Sequence, residues 1–328
     1  MVRWAILGAG SIARRFAASL SHVEGARLVA LSCRSAEKAA AFAGDHGVDA
    51  SRAYSDGALP GSGHEALLAD PEVDAVYLAL PHGLHHEWAI RALRAGKPVL
   101  CEKPAALDAA QTGDIARVSR EAQTLFMEAM KTRFTPLYRR VRDMVDSGAI
   151  GEVTQVEATL CNDMRELVEG GRTYHSQPGQ GGVLLDCGTY CASWLEDYLP
   201  GEFSIERADG VVQGGTDLYA DATLAFGSAR GRLECAFDRS RPRTATIRGT
   251  RGSVVVEELH RPQVATLLVD GREPRPIDAP YEVDDFFGEI DHFTRLVRSG
   301  AAESDVMPLA ASVRDARIID RVREALGG

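Results

Sequence analysis

Two rhythms of apolar and polar residues divide this chain. In its first third, short unbroken apolar runs alternate with longer stretches that carry apolar residues at helical spacing. Residues 3–7 (RWAIL), 27–32 (RLVALS), 74–80 (DAVYLAL) and 98–101 (PVLC) are runs of the first kind, and 124–130 (TLFMEAM) is a further candidate. Segments 11–23 and 85–95 have the helical spacing, and Ser35 is placed to cap an alanine-rich helix with Glu37 and Lys38 in its first turn. Apolar strands separated by helices predict a parallel sheet covered on both faces.

After Gly151 the period shortens to two. Val153, Gln155, Glu157 and Thr159 alternate with Thr154, Val156, Ala158 and Leu160. One helix is predicted over 182–199. Strand-like runs follow at 219–226, 229–237, 244–248, 253–257 and 265–269, separated by turn residues such as Gly227, Gly249, Gly252 and Gly271. This predicts an antiparallel sheet with a helix or two on one face. Helices over 284–299 and 308–326 close the chain, and no internal repeat is present.

Composition narrows the function classes. The 328 residues, 45% of them hydrophobic, suffice for two domains with their own cores. A net charge of −10 with no basic arm argues against nucleic acid or anionic membrane as partner. No apolar run approaches the roughly 20 residues of a membrane span. The six cysteines form no C-x-x-C pair and match no zinc spacing, so they read as reduced intracellular thiols. With no leader pattern, a cytoplasmic location is expected. Neither H-E-x-x-H nor G-x-S-x-G occurs, so no metal centre and no serine nucleophile are expected.

The turn after the first strand carries chemistry. Gly8, Ala9, Gly10, Ser11, Ile12 and Ala13 fit G-x-G-x-x-A between a strand and a helix, the pattern that seats a dinucleotide pyrophosphate on a helix N-terminus. Gly8 allows the tight turn, Gly10 the close backbone approach, and Ala13 close packing of helix on sheet. The next strand ends in Ser32, Cys33, Arg34 and Ser35, with no carboxylate to hold a ribose 2′-hydroxyl. Arg34 and Ser35, helped by Lys38, suit a 2′-phosphate instead, which favours NADP over NAD.

Further along, Pro81-His82-Gly83-Leu84-His85 follows one strand and Glu102-Lys103-Pro104 the next. With 128–134 (EAMKTRF), Pro136 and 181–190 (GGVLLDCGTY), they give the chain a pattern that resembles the glucose–fructose oxidoreductase/inositol dehydrogenase (Gfo/Idh/MocA) family through nearly its whole length. Tyr190, where the family usually has histidine, resembles the branch of dimeric dihydrodiol dehydrogenases, NADP-linked D-xylose dehydrogenases and glucose–fructose oxidoreductase. The resemblance implies an α/β fold: a Rossmann doubly wound sheet over residues 1–122, then an α+β domain on an open-faced, mostly antiparallel sheet over 123–328 that often serves oligomerisation, so a homodimer is expected. Many relatives carry tryptophan where this chain has Lys131.

Hydride transfer needs an acid/base and a positive charge from the protein. Lys103 follows a strand end where such folds bind ligands, and the resemblance implies a cis bond to Pro104. Asp186 and Tyr190 are four residues apart on one helix face. A phenol with pKa near 10 becomes a usable base beside an ammonium. The expected machinery is therefore Lys103 with Tyr190, either of which can move the proton, and Asp186 holding a substrate hydroxyl or orienting Lys103. The resemblance also places Leu80, Pro81, His82, His85, Glu102 and Arg133 near the cofactor, with Cys33 at the 2′-phosphate end. Plainer roles stand beside these: packing for Tyr190, a helix-start carboxylate for Asp186, an ion pair for Arg133. Arg165, Arg172, Tyr174 and His175 lie in the loop before the Tyr190 helix and can line a pocket. The expected activity is oxidoreduction of a small polyol, sugar or diol. Glycoside cleavage or elimination without net redox, and non-catalytic nucleotide sensing, are the alternatives.

Overall fold

In the computed structural model, which describes residues 1–170 and 173–327, the chain separates into two compact units. One comprises Met1–Ala106, Ala110–Ala129 and Glu282–Ala310; the other comprises Leu107–Ala109, Met130–Tyr281 and the chain from Ala311 on.

The first unit holds β1 (Val2–Leu7), β2 (Ala26–Cys33), β3 (Ala53–Ser55), β4 (Ala75–Leu78), β5 (Val99–Glu102) and β6 (Phe126–Ala129). They form one sheet in the order β3-β2-β1-β4-β5-β6, and every neighbouring pair is parallel. Consecutive residues of β4 and most of β1 are buried, as strands covered on both faces must be. Helices α1 (Ser11–Leu20), α2 (Ala36–His46), α3 (Ser62–Leu68), α4 (His85–Arg94) and α5 (Ala109–Ala122) make the connections. Strand order reverses between β1 and β4. The carboxyl ends at such a switch point form the crevice where open α/β sheets bind ligands.

The second unit begins with α6 (Pro136–Asp146), whose first turn is capped by the Thr135 hydroxyl accepting the Tyr138 N–H. Its sheet contains β7 (Val153–Cys161), β8 (Ser204–Gln213), β9 (Thr216–Phe226), β10 (Ala229–Ala236), β11 (Thr244–Gly249), β12 (Gly252–Glu257), β13 (Val264–Val269) and β14 (Arg275–Asp278), in the order β14-β13-β12-β11-β7-β10-β9-β8. All neighbours are antiparallel except β7 with β10, which run parallel. Val156, Ala158 and Leu160 of β7 point into the core. α7 (Arg165–Glu169) is one short turn, and α8 (Thr189–Tyr198) packs on β7, β10 and β11. On β9 and β10 the half-exposed Arg232 donates to Asp221 at 2.8 Å, so that face is laced by ion pairs.

The single helix expected over 182–199 is two pieces. A π-helical turn, Leu184–Gly188, runs into α8. The Leu184 N–H donates to Asp217 Oδ2 at 2.6 Å, and a Cβ on Gly182 would stand 2.4 Å from Asp217 Oδ1. β9 therefore holds the entry to this turn from outside the helix, and π turns of this kind recur at functional sites.

Near the C-terminus the chain forms α9 (Phe287–Ser299) and α10 (Leu309–Ala325). α9 packs within the first unit, where the Trp4 indole donates to Thr294 Oγ1 at 3.3 Å and Trp4 meets Phe293 at 5.3 Å between ring centroids. No helix among the described residues is long and apolar enough to cross a membrane. All six cysteines are buried and none is in a disulfide. Burial pushes the Cys161 thiol up to about 12, so it is protonated and unreactive at neutral pH.

Candidate active site

The glycine-rich turn joins β1 to α1 at the switch point. Gly8 has φ of 101°, and its N–H donates to the Ser32 carbonyl at 2.8 Å. A Cβ there would stand 2.3 Å from the Ala79 carbonyl oxygen, so the meeting of three strand ends requires glycine. Gly10 differs: its φ of −83° suits any residue, and a Cβ on it would meet no atom within 4 Å. The protein itself makes no steric demand for glycine at 10, which leaves the backbone there open to close approach. α1 also has no side-chain cap and no acidic residue in its first turn, so its leading N–H groups and dipole are available to an anion. Ser11 is exposed, Ile12 half-buried, and Ala13 buried against the sheet. These residues fit a dinucleotide pyrophosphate.

At the end of β2, Arg34 and Lys38 are exposed, Ser35 is half-buried, and Cys33 is buried with its thiol toward the Ser35 carbonyl. Ser35 caps α2 as predicted, accepting the Lys38 N–H at 3.3 Å. The arginine thus stands exposed at a fixed helix start. The sequence reading missed His64, which lies buried on α3 with Nδ1 2.6 Å from Ser32 Oγ. A thirty-two-residue separation and a polar, three-residue β3 gave no signal for it.

Lys103 is half-buried at the end of β5, and its bond to Pro104 is cis, as the resemblance implied. Three successive backbone groups of this turn are held. The Lys103 N–H donates to Glu102 Oε2 at 3.2 Å, the Pro104 carbonyl lies 2.8 Å from His85 Nδ1, and the Ala105 N–H donates to Glu128 Oε1 at 3.0 Å. Glu102 is in turn fixed by the Tyr77 hydroxyl.

His85 is fully buried, with its other nitrogen, Nε2, 2.7 Å from the Leu80 carbonyl. Its ring ties the β4 loop to the lysine turn. A ring protonated on both nitrogens would satisfy both carbonyls. Burial opposes that charge, the nearby Lys103 cation adds to the opposition, and the net effect holds His85 below its ordinary pKa. His82 is buried with its ring 5.7 Å from that of His85; Leu80 is half-buried and Pro81 exposed.

In the second unit, Tyr190 opens α8, largely buried, its ring edge-on to His260 at 5.9 Å. Asp186 sits half-buried in the π-helical turn one turn earlier, with Oδ2 3.5 Å from His175 Nε2. Arg165 pairs with Asp163 at 2.6 Å on the surface. Arg172 and the Tyr174 side chain lie outside the described residues. Lys131 is buried at 5% exposure.

Arg133 makes the ion pair that stood as the plainer of its expected roles. At 3% exposure, its guanidinium donates to Ser193 Oγ at 2.8 Å and to Glu196 Oε2 at 2.5 Å, with Asp197 and Asp315 within 4.0 Å. Burial opposes its charge, but the carboxylates of Asp315, Asp197 and Glu196 outweigh that and hold it protonated.

Comparison with known proteins agrees along nearly the whole chain. The model of the oxidoreductase family with an NAD-binding Rossmann fold, GFO_IDH_MocA, matches residues 2–130, and the GFO/IDH/MocA C-terminal domain matches residues 138–255. A trans-1,2-dihydrobenzene-1,2-diol dehydrogenase of Xenopus tropicalis is 30% identical, over 99% of this chain and 98% of its own. The scyllo-inositol 2-dehydrogenase (NADP(+)) IolU of Bacillus subtilis is also 30% identical, over 100% and 98%. Among solved structures, KijD10, a 3-ketoreductase from Actinomadura kijaniata in complex with NADP and TDP-benzene, superposes with a TM-score of 0.84 at 26% identity, covering 99% of this chain and 97% of that one. With both domain models matched and relatives aligned end to end, the chain belongs to the GFO/IDH/MocA oxidoreductase family.

Proposed function

We propose that this protein is an NADP-dependent oxidoreductase that interconverts a CH–OH and a C=O group on a sugar, polyol or trans-dihydrodiol. The observation that carries the reading is the pinned lysine turn in one unit with the uncapped helix. One unit places an ammonium at the end of β5 and an anion-ready helix N-terminus at the end of β1, on the same sheet edge. The names of the two 30% relatives, a diol dehydrogenase and an NADP-linked inositol dehydrogenase, support both the substrate class and the cofactor.

Gly8, Gly10 and the first turn of α1 would hold the pyrophosphate, and Arg34, Ser35 and Lys38 the 2′-phosphate. When bound, the nicotinamide supplies the hydride chemistry. The chain's own residues handle charge and proton. The Lys103 ammonium polarises the reacting oxygen and favours the phenolate of Tyr190, which exchanges the proton with that oxygen. Asp186 receives a second substrate hydroxyl.

The test is a panel of aldoses, inositols, trans-diols and dicarbonyls with NADP and with NAD, followed by absorbance of the reduced nicotinamide. Stoichiometric NADPH formation with at least one polyol, faster than with NAD, is expected. Consumption of a sugar without net reduction of cofactor would overturn the redox reading, and preference for NAD would overturn the role of Arg34.

A further inference from the structure

The loop ahead of the π-helical turn brings to Asp186 a histidine that the chemistry above does not use. His175 Nε2 lies 3.5 Å from Asp186 Oδ2, and both side chains are largely buried, at 12% and 18% exposure. On the other side of the ring, Nδ1 faces Thr173 Oγ1 at 2.5 Å, and the same oxygen accepts the His175 backbone N–H at 3.1 Å. A hydroxyl that accepts a backbone N–H has its proton available for the ring. A carboxylate at Nε2 needs a donor there. One tautomer suits both neighbours: Nδ1 accepts from Thr173, and the Nε2 proton faces the carboxylate across 3.5 Å.

The approach is built into the backbone. The Gly182 N–H donates to the His175 carbonyl at 2.9 Å, and the Asp186 N–H donates to the Gly182 carbonyl at 3.3 Å. The loop is thus stapled to the turn that carries the carboxylate. Phe237, just past β10, stands edge-on to the ring at 5.6 Å and limits its rotation.

We propose that His175 is a positioning residue that sets substrate specificity. Its Nε2–H fixes the plane of the Asp186 carboxylate, which then receives a hydroxyl on the carbon next to the reacting one. Substrates with that second hydroxyl gain affinity, and simple alcohols or carbonyls do not. This rests on the polyol reading of the same site.

The test is a double-mutant cycle on a polyol that the wild-type enzyme turns over. His175→Leu raises KM about tenfold, the order expected for loss of one hydrogen bond to a charged group, with kcat within about twofold. His175→Gln, whose amide can donate, recovers most of the loss. In an Asp186→Asn background, His175→Leu adds less than about twofold, because the partner it serves is already gone. Effects that multiply in full, or that fall on kcat with KM untouched, overturn the proposal. A second readout needs no turnover. Imidazole nitrogen NMR should find His175 protonated on Nε2 in the wild type, with that preference lost in Asp186→Asn. Protonation on Nδ1 in the wild type overturns the pairing. A wild-type enzyme inactive on every polyol defeats the functional reading alone, since the tautomer still reports on the pair.

Discussion

His85 Nδ1 lies 2.8 Å from the carbonyl oxygen of Pro104, so a fully buried imidazole holds the residue that follows Lys103. The same ring reaches the Leu80 carbonyl at 2.7 Å. One side chain thereby sets the spacing between the loops after β4 and β5. The neutral ring has one N–H, so removing it leaves one buried carbonyl without its donor, and His85→Leu is expected to cost about 1–3 kcal/mol in chemical denaturation.

That clamp also has a pH signature. His85 and His64 both have pKa values lowered, in each case chiefly by burial. Each is harder to protonate folded than unfolded, so below about pH 6.5 the unfolded chain binds more protons. Stability is fully present above that pH and is lost as pH falls toward the lowered folded values. Unfolding free energy should decline from pH 7.5 to 5.5, and His85→Gln should flatten part of the slope. An unchanged slope in the variant would remove His85 from the account.

The two glycines of the turn should fail differently. Gly8→Ala forces a Cβ onto the Ala79 carbonyl at a φ of 101°, and a loss of at least about 2 kcal/mol in stability is expected. Gly10→Ala places its methyl in open space, so stability should hold within about 0.5 kcal/mol while the KM for NADP rises about tenfold. Denaturation and cofactor titration of the two variants separate these outcomes.

Arg34 stands exposed at the end of β2. Arg34→Ala should raise the KM for NADP by about 10- to 100-fold and leave the weaker use of NAD nearly unchanged, the pattern of a lost charge-assisted contact to one phosphate. Equal losses with both cofactors would move Arg34 away from the 2′-phosphate.

Arg133 makes the opposite prediction. Arg133→Met leaves Glu196, Asp197 and Asp315 facing one another in a buried site, so a stability loss of about 3–5 kcal/mol is expected. In whatever protein remains folded at low temperature, the KM for NADP should be unaltered.

Legibility in the sequence followed burial. β1, β4 and β5 were readable because strands covered on both faces are apolar at consecutive positions. β8 has almost every residue exposed, so it offers neither an apolar run nor alternation. β3 has only three residues, and β14 contains Pro276. α6 has a local signal in the sequence, a Thr135 cap followed by Pro136 at the first helical position. In the site, the glycine turn and Lys103 were legible because their chemistry is local to a few residues. The partners that fix them were not. His85 with Pro104, Ala105 with Glu128, and Arg133 with Glu196 are joined only by the folded chain, and a lone arginine after a strand reads the same whether it meets a phosphate or a carboxylate.

The central claim, that Lys103 and Tyr190 together handle the proton and the charge, is tested most directly by kcat at saturating NADP for Lys103→Met and Tyr190→Phe. Each should fall by about 100-fold or more, the usual worth of a positioned acid/base, while the dissociation constant for NADP stays within a few-fold of wild type. Turnover retained within about threefold in either variant would contradict the account.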